Sequence, residues 1–274
     1  MMGLLYRGIM RHNLHIMWQL LIGVFIVLGG TAFAESVELD SYNDAQQLFI
    51  AGEYDEAQDL AESLGTSEAY LLASEALAAK VILGYYDKPN DPSKRARKLA
   101  KKAIELDPDN LDAQFHQVVT FGLETQSTGV LKAWRKKMPT RMRAEIEALQ
   151  VLAPDDPRGH ALLGAWHLGI VNKVGKRNAY SWYKASPDMG TALYETALEL
   201  AEDDIVITSN YAASKILLGE PDAARELLSS VVNMTSKHAA EAEIQKRMTQ
   251  MLALYDDPKA LKRAAKLFLN NKRF

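Results

Sequence analysis

His160 and His167 lie in the stretch Arg-Gly-His-Ala-Leu-Leu-Gly-Ala-Trp-His-Leu-Gly, residues 158–169. Histidine is the side chain best suited to hold a transition metal or to move a proton near neutral pH. With Leu163 and Gly164 the two imidazoles follow the spacing i, i+3, i+4, i+7, which sets all four on one helix face. A metal site needs a third ligand, and the spacing supplies none. Nor is this the His-Glu-x-x-His pattern of a zinc helix. The face therefore reads as packing, with Gly164 letting a second helix backbone approach and Trp166 filling a neighbouring groove.

Paired carboxylates are the next chemistry-bearing groups. Asp107 and Asp109, Asp155 and Asp156, Asp203 and Asp204, and Asp256 and Asp257 each follow a helical stretch. In such places Asp forms turns and caps the next helix. The basic run of residues 94–102 has Ala96, Leu99 and Ala100 on its other side, and Ala103 just beyond, so its charges read as a solvated helix face. The chain has no Gly-x-Ser-x-Gly elbow and no phosphate-binding glycine loop. It has no cysteine, which excludes disulfides, a thiol nucleophile and thiolate metal sites. No catalytic residue, metal or cofactor is expected, and the chain is not expected to be an enzyme.

The elements that would position these groups are helices. From Tyr42 onward Ala, Leu, Glu and Lys dominate, apolar residues recur at spacings of three and four, and Gly and Pro fall between the periodic stretches. Residues 51–64, 93–110, 142–156 and 218–232 share a pattern of small residues four apart, and two of them end in a late proline, Pro108 or Pro154. Small residues sit where two helix backbones cross, and proline follows where a helix stops. These stretches read as second helices of tetratricopeptide repeats. The predicted fold is all-α: a tetratricopeptide-repeat α-solenoid of about four to five helix pairs.

The repeat interval is uneven. The excess lies in two basic insertions, residues 131–143 and 170–190. The first carries Lys132, Arg135 and Lys136, with six basic residues and no acidic one. The second sets Lys173, Lys176, Arg177 and Lys184 around Tyr180, Trp182 and Tyr183. Lengthened helices with a wet face are the plainer account. Anionic headgroups at an interface would suit the same mixture.

First helices of such repeats line a concave side. That places Tyr42, Phe49, Ile50, Phe115, Val119, Leu123, Leu168, Ile216 and Leu217 along an apolar groove, a candidate partner or ligand site. The two carboxy-terminal helical stretches compete for the same place, and the sequence does not decide between them.

At the amino terminus, Arg7 and Arg11 precede an apolar run over residues 17–30, followed by Ala32-x-Ala34. This reads as a cleaved secretory signal over residues 1–34, with a retained membrane anchor as the alternative. The domain proper would then be residues 35–274, in the periplasm. Without the two leading arginines, 30 basic residues face 35 acidic ones. That balance argues for solubility and against a nucleic-acid partner.

The order of a helix ending in Ala-Ile-Glu-Leu-Asp-Pro, a basic elongated helix, Leu-Ala-Pro-Asp-Asp, Leu163-Gly164-x-Trp166, a basic aromatic insert and the helix of Tyr194, Glu195, Ala197 and Leu198 resembles the tetratricopeptide domain of the regulator of microtubule dynamics protein family. The resemblance covers roughly residues 94–257. It implies an all-helical domain without catalysis, and some members bind or transfer phospholipid. The function expected is a non-catalytic exported scaffold for protein partners in the cell envelope. The alternative is a module that binds or carries phospholipid, or another apolar ligand, in the groove.

Overall fold

A computed structural model describes residues 31–274 except Glu202, with side chains described from Asp40 onward. The expected signal segment over residues 1–34 lies almost wholly outside the described residues, and so does its apolar run. Among the described residues there is no strand, and no helix is long and apolar enough to cross a membrane. Residues 38–274 form one compact unit.

The helices in chain order are α1 (Thr31–Ala51), α2 (Tyr54–Leu64), α3 (Ser67–Ile82), α4 (Asn90–Leu106), α5 (Leu111–Ser127), α6 (Val130–Arg135), α7 (Met138–Leu152), α8 (Pro157–Val174), α9 (Lys176–Tyr183), α10 (Pro187–Leu200), α11 (Ile205–Leu218), α12 (Pro221–Asn233), α13 (Ala239–Ala253) and α14 (Pro258–Phe268). Consecutive helices pack on one another, most extensively α3 with α4, α8 with α10, α4 with α5, α2 with α3, and α11 with α12. The helices α6 and α9 are the two insertions.

Local chemistry sets the boundaries. Side chains of Thr66, Asn110, Asp156, Ser186, Asp204 and Asp257 accept hydrogen bonds from the first free backbone N–H groups of the helices they precede. Each such cap stabilises its helix by about 1 kcal/mol. Asp156, Asp204 and Asp257 belong to the acidic pairs, so those carboxylates are caps. Gly65 and Gly219 end α2 and α11 in the left-handed region, where a side chain would be strained.

Small residues let the pairs close. Across α3 and α4, Ala69 and Ala73 share a core with Ala96, and Ala100 and Ala103 of α4 are also buried. Two buried hydroxyls join them, Ser67 Oγ donating to the Ala103 carbonyl at 2.9 Å and Ser74 Oγ to the Ala96 carbonyl at 2.7 Å. Across α8 and α10 the close approach falls at Gly164 and Gly190.

The chain closes on itself. One core cluster joins Tyr54, Ala76, Ala79 and Leu83 near the start to Ile244, Met248, Leu261 and Phe268 near the end. The Phe49 ring lies 5.3 Å from His238, and the Arg247 guanidinium donates to the Leu83 carbonyl at 2.8 Å. The C-terminal end of α14 also reaches α5, where Gln126 donates to the Leu269 carbonyl at 3.3 Å. The final helices therefore share a core with α2 and α3, besides packing on α11 and α12.

Candidate docking face

The stretch around His160 and His167 is architecture. A Cβ placed on Gly164 would lie 2.9 Å from Tyr194 Cδ2 and 3.0 Å from the Gly190 carbonyl oxygen. Trp166 Nε1 donates to the Pro139 carbonyl at 2.8 Å. His160 Nε2 lies 2.9 Å from the Pro154 carbonyl, while His167 Nδ1 accepts from the Ser186 N–H at 3.3 Å. The two imidazoles thus serve different loops. Burial in apolar surroundings holds His167 down to about 4, with Arg143 nearby adding to the effect. It stays neutral at physiological pH.

The predicted groove residues differ in exposure. Phe115, Leu123, Leu168 and Ile216 are buried. Phe115 lies among Ile146, Leu149, Leu163 and Trp166, and the Arg158 guanidinium sits 4.3 Å over its ring. Leu123 joins the core of α3 and α4, Leu168 packs with Tyr194 and Tyr211, and Ile216 belongs to the cluster shared with α13 and α14. Tyr42, Phe49, Val119 and Leu217 are half-buried, and Ile50 alone of the set is exposed. The physical reason is neighbour packing: Phe115, Leu123 and Leu168 are enclosed by adjacent helices, and Ile216 is enclosed in the cluster that includes α13 and α14.

The basic insertions behave differently. Lys132, Arg135, Lys136, Lys173, Lys176, Arg177 and Lys184 are all exposed. The first insertion is not one elongated helix. It breaks at Lys137, which takes a left-handed backbone (φ 52°), leaving the short α6 ahead of α7. Lys184 does the same after α9 (φ 55°). Such a backbone costs a non-glycine residue about 1–2 kcal/mol, so packing must hold both insertions in place.

That packing is visible. Ala133 of α6 is buried with Phe121 and Met138, and Ala179 of α9 is buried beside Ala185. Asn90 Nδ2 donates to the Ser127 and Thr128 hydroxyls at 3.2 and 3.1 Å, pinning the loop before α6. The outward sides stay free. Val130 is 70% exposed, Leu131 69%, Trp134 61%, Tyr180 60% and Trp182 61%. Large apolar side chains exposed together make this surface the candidate docking face.

The two insertions converge. Because α7 and α8 are antiparallel, α6 precedes α7 at the same end at which α9 follows α8. Arg143 Nη1 on α7 donates to the Tyr183 carbonyl of α9 at 3.0 Å, and the Trp166 and Tyr183 rings meet edge to face at 6.4 Å. Neither residues 130–143 nor 170–187 contain an acidic side chain. The opposite end is acidic. There Asp107 and Asp109, Asp155 and Asp156, and Asp203 and Asp204 gather in the turns beside the exposed Leu106, Val151, Leu152 and Leu200.

Sequence reasoning found the charges and aromatics of this face. It missed Val130 and Leu131 as exposed anchors, because apolar residues at helical spacing read as core. It also missed Glu75 on α3. Burial pushes that carboxyl up to about 7, with Asp112 reinforcing the shift and Arg158 opposing it. Nothing in the local pattern distinguishes Glu75 from any solvated helix residue.

No curated protein matches the chain. The family model described as Regulator of microtubule dynamics protein 1-3 matches residues 41–256, well over half of the 274 residues. With that span and this all-helical fold, the chain belongs to the regulator of microtubule dynamics protein 1-3 family.

Proposed function

We propose that this protein is a non-catalytic scaffold of the cell envelope, built of tetratricopeptide-type repeats, that holds a protein partner against the end formed by α6 and α9. The observation that carries this reading is the convergence of both basic insertions, with Val130, Leu131, Trp134, Tyr180 and Trp182 exposed among seven or more cations. Trp, Tyr and Arg are the residues that anchor interfaces, and a single-sign rim steers an acidic partner. Export through residues 1–34 and a periplasmic place belong to the same proposal, on the strength of the basic start, apolar run and Ala-x-Ala pattern.

The experiment is a comparison of co-isolated proteins. Replacing Lys132, Arg135, Lys136, Lys176 and Arg177 by Gln should remove the partner recovered with the wild-type chain while leaving the melting temperature unchanged. Undiminished recovery with the folded variant would place the partner elsewhere.

A second reading has one specific observation in its favour. Exposed Trp and Tyr interleaved with Lys and Arg also suit an anionic lipid surface. Stoichiometric phospholipid in organic extracts of the purified protein would favour it, with the lipid held at this end.

A further inference from the structure

A cleft of about 420 Å³ lies where the first helices meet the last, away from α6 and α9. Its walls include Tyr54, Leu83, Tyr85, Glu243, Arg247 and Arg273. A volume of this size suits a small metabolite.

Two guanidiniums converge there. Arg247 Nη2 donates to the Leu83 carbonyl at 2.8 Å, and Arg273 Nε donates to the same oxygen at 3.4 Å. Sharing one acceptor holds two positive charges close together. The cleft supplies one carboxylate against them, Glu243, which accepts from Arg247 Nε at 3.3 Å and also pairs with Lys246. Arg247 is only 4% exposed, so its charge is poorly solvated. Arg273 lies 4.5 Å over the Tyr85 ring, which fixes its plane. The terminal nitrogens of Arg273 have no protein partner among the described residues. A guanidinium has five donors, and most of the ten here are unused.

We infer that this seam cleft binds a small oxyanion, a phosphate or carboxylate group of a soluble metabolite, held between Arg247 and Arg273. An anion relieves the repulsion between the two guanidiniums and takes their free N–H groups in the forked geometry that suits carboxylate and phosphate. Its apolar part would rest against Leu83 and the tyrosine rings. Because Leu83 caps α3 while Arg247 lies on α13 and Arg273 follows α14, the anion also ties these distant segments of the chain together.

Titration calorimetry on the full chain tests this, with inorganic phosphate and succinate as probes and sodium chloride matched for ionic strength. Saturable binding of either probe is expected, weakened at least tenfold by Arg273→Gln and unchanged by Lys262→Gln on the outer side of α14. Tighter phosphate binding would identify a phosphorylated ligand, and tighter succinate binding a carboxylate. Arg273 is exposed, so its variant should fold with an unchanged melting temperature in the absence of anion. Absence of saturable heat with both probes, or equal binding by Arg273→Gln, would overturn the site.

Discussion

Arg143 on α7 is bound to the backbone of Tyr183 on α9, donating to its carbonyl at 3.0 Å while lying 5.3 Å over the Trp166 ring. This one side chain, the last residue of the first basic segment, is tied to the backbone of the second.

Arg143→Ala should therefore loosen α9 before anything else. A hydrogen bond from a charged donor contributes about 1.5–3 kcal/mol. Denaturant unfolding should show a loss of that order, and amide exchange should rise over residues 176–184 ahead of the rest. Unchanged exchange there would mean that α9 is held by Ala179 and Tyr183 alone.

Gly190→Ala and Gly164→Ala should both destabilise the protein. A Cβ on Gly190 would fall 2.5 Å from Leu168 Cδ2, and one on Gly164 would meet the Gly190 carbonyl oxygen at 3.0 Å. Overpacking costs about 1–3 kcal/mol, and a backbone neighbour has little room to give. Thermal unfolding checks the loss; a neutral Gly164→Ala would show that α8 and α10 can separate freely.

Phe115→Ala should lower stability by about 3–5 kcal/mol, the cost of emptying a buried aromatic site. It should not act as a selective lesion in ligand binding. A stable variant with an altered ligand content would instead restore Phe115 to a groove wall.

Stability should depend on pH through three buried groups. His116 and His167 are both held down to about 4, His116 chiefly by burial. Their unfolded forms take up protons first, so their contribution falls as pH drops from about 6.5 towards about 4. Glu75 has the opposite sign. With its carboxyl pushed up to about 7, its contribution is present at low pH and lost as pH rises through that value. Glu75→Gln should thus raise stability at pH 8, by on the order of 1–3 kcal/mol, and have less effect at pH 5. Equal effects at the two pH values would mean that Glu75 titrates normally.

The helix pairs were legible because their signals are local: small residues at crossings, Asp and Asn caps, and proline stops. The stretch containing His160 and His167 was legible for the same reason. Closure of the chain was not. It rests on Leu83 meeting Arg247 and on Gly52 lying beside Ala239, contacts between residues far apart in sequence whose types are ordinary. The burial of Phe115, Leu123, Leu168 and Ile216 was not legible, because a helix flanked on both sides shows the same apolar spacing as one facing an open channel. In the candidate face, the charges and aromatic side chains could be read directly. That α6 and α9 emerge at one end could not, because it depends on the antiparallel run of α7 and α8.

The most direct test places a photo-crosslinking amino acid at position 134, 182 or 151 in cells. Trp134 and Trp182 lie on the basic aromatic end, and Val151, 84% exposed, lies on the opposite acidic end. Discrete protein adducts from positions 134 and 182, with none from 151, are the predicted result. Adducts from 151 alone, or none from either tryptophan position, would contradict docking through α6 and α9.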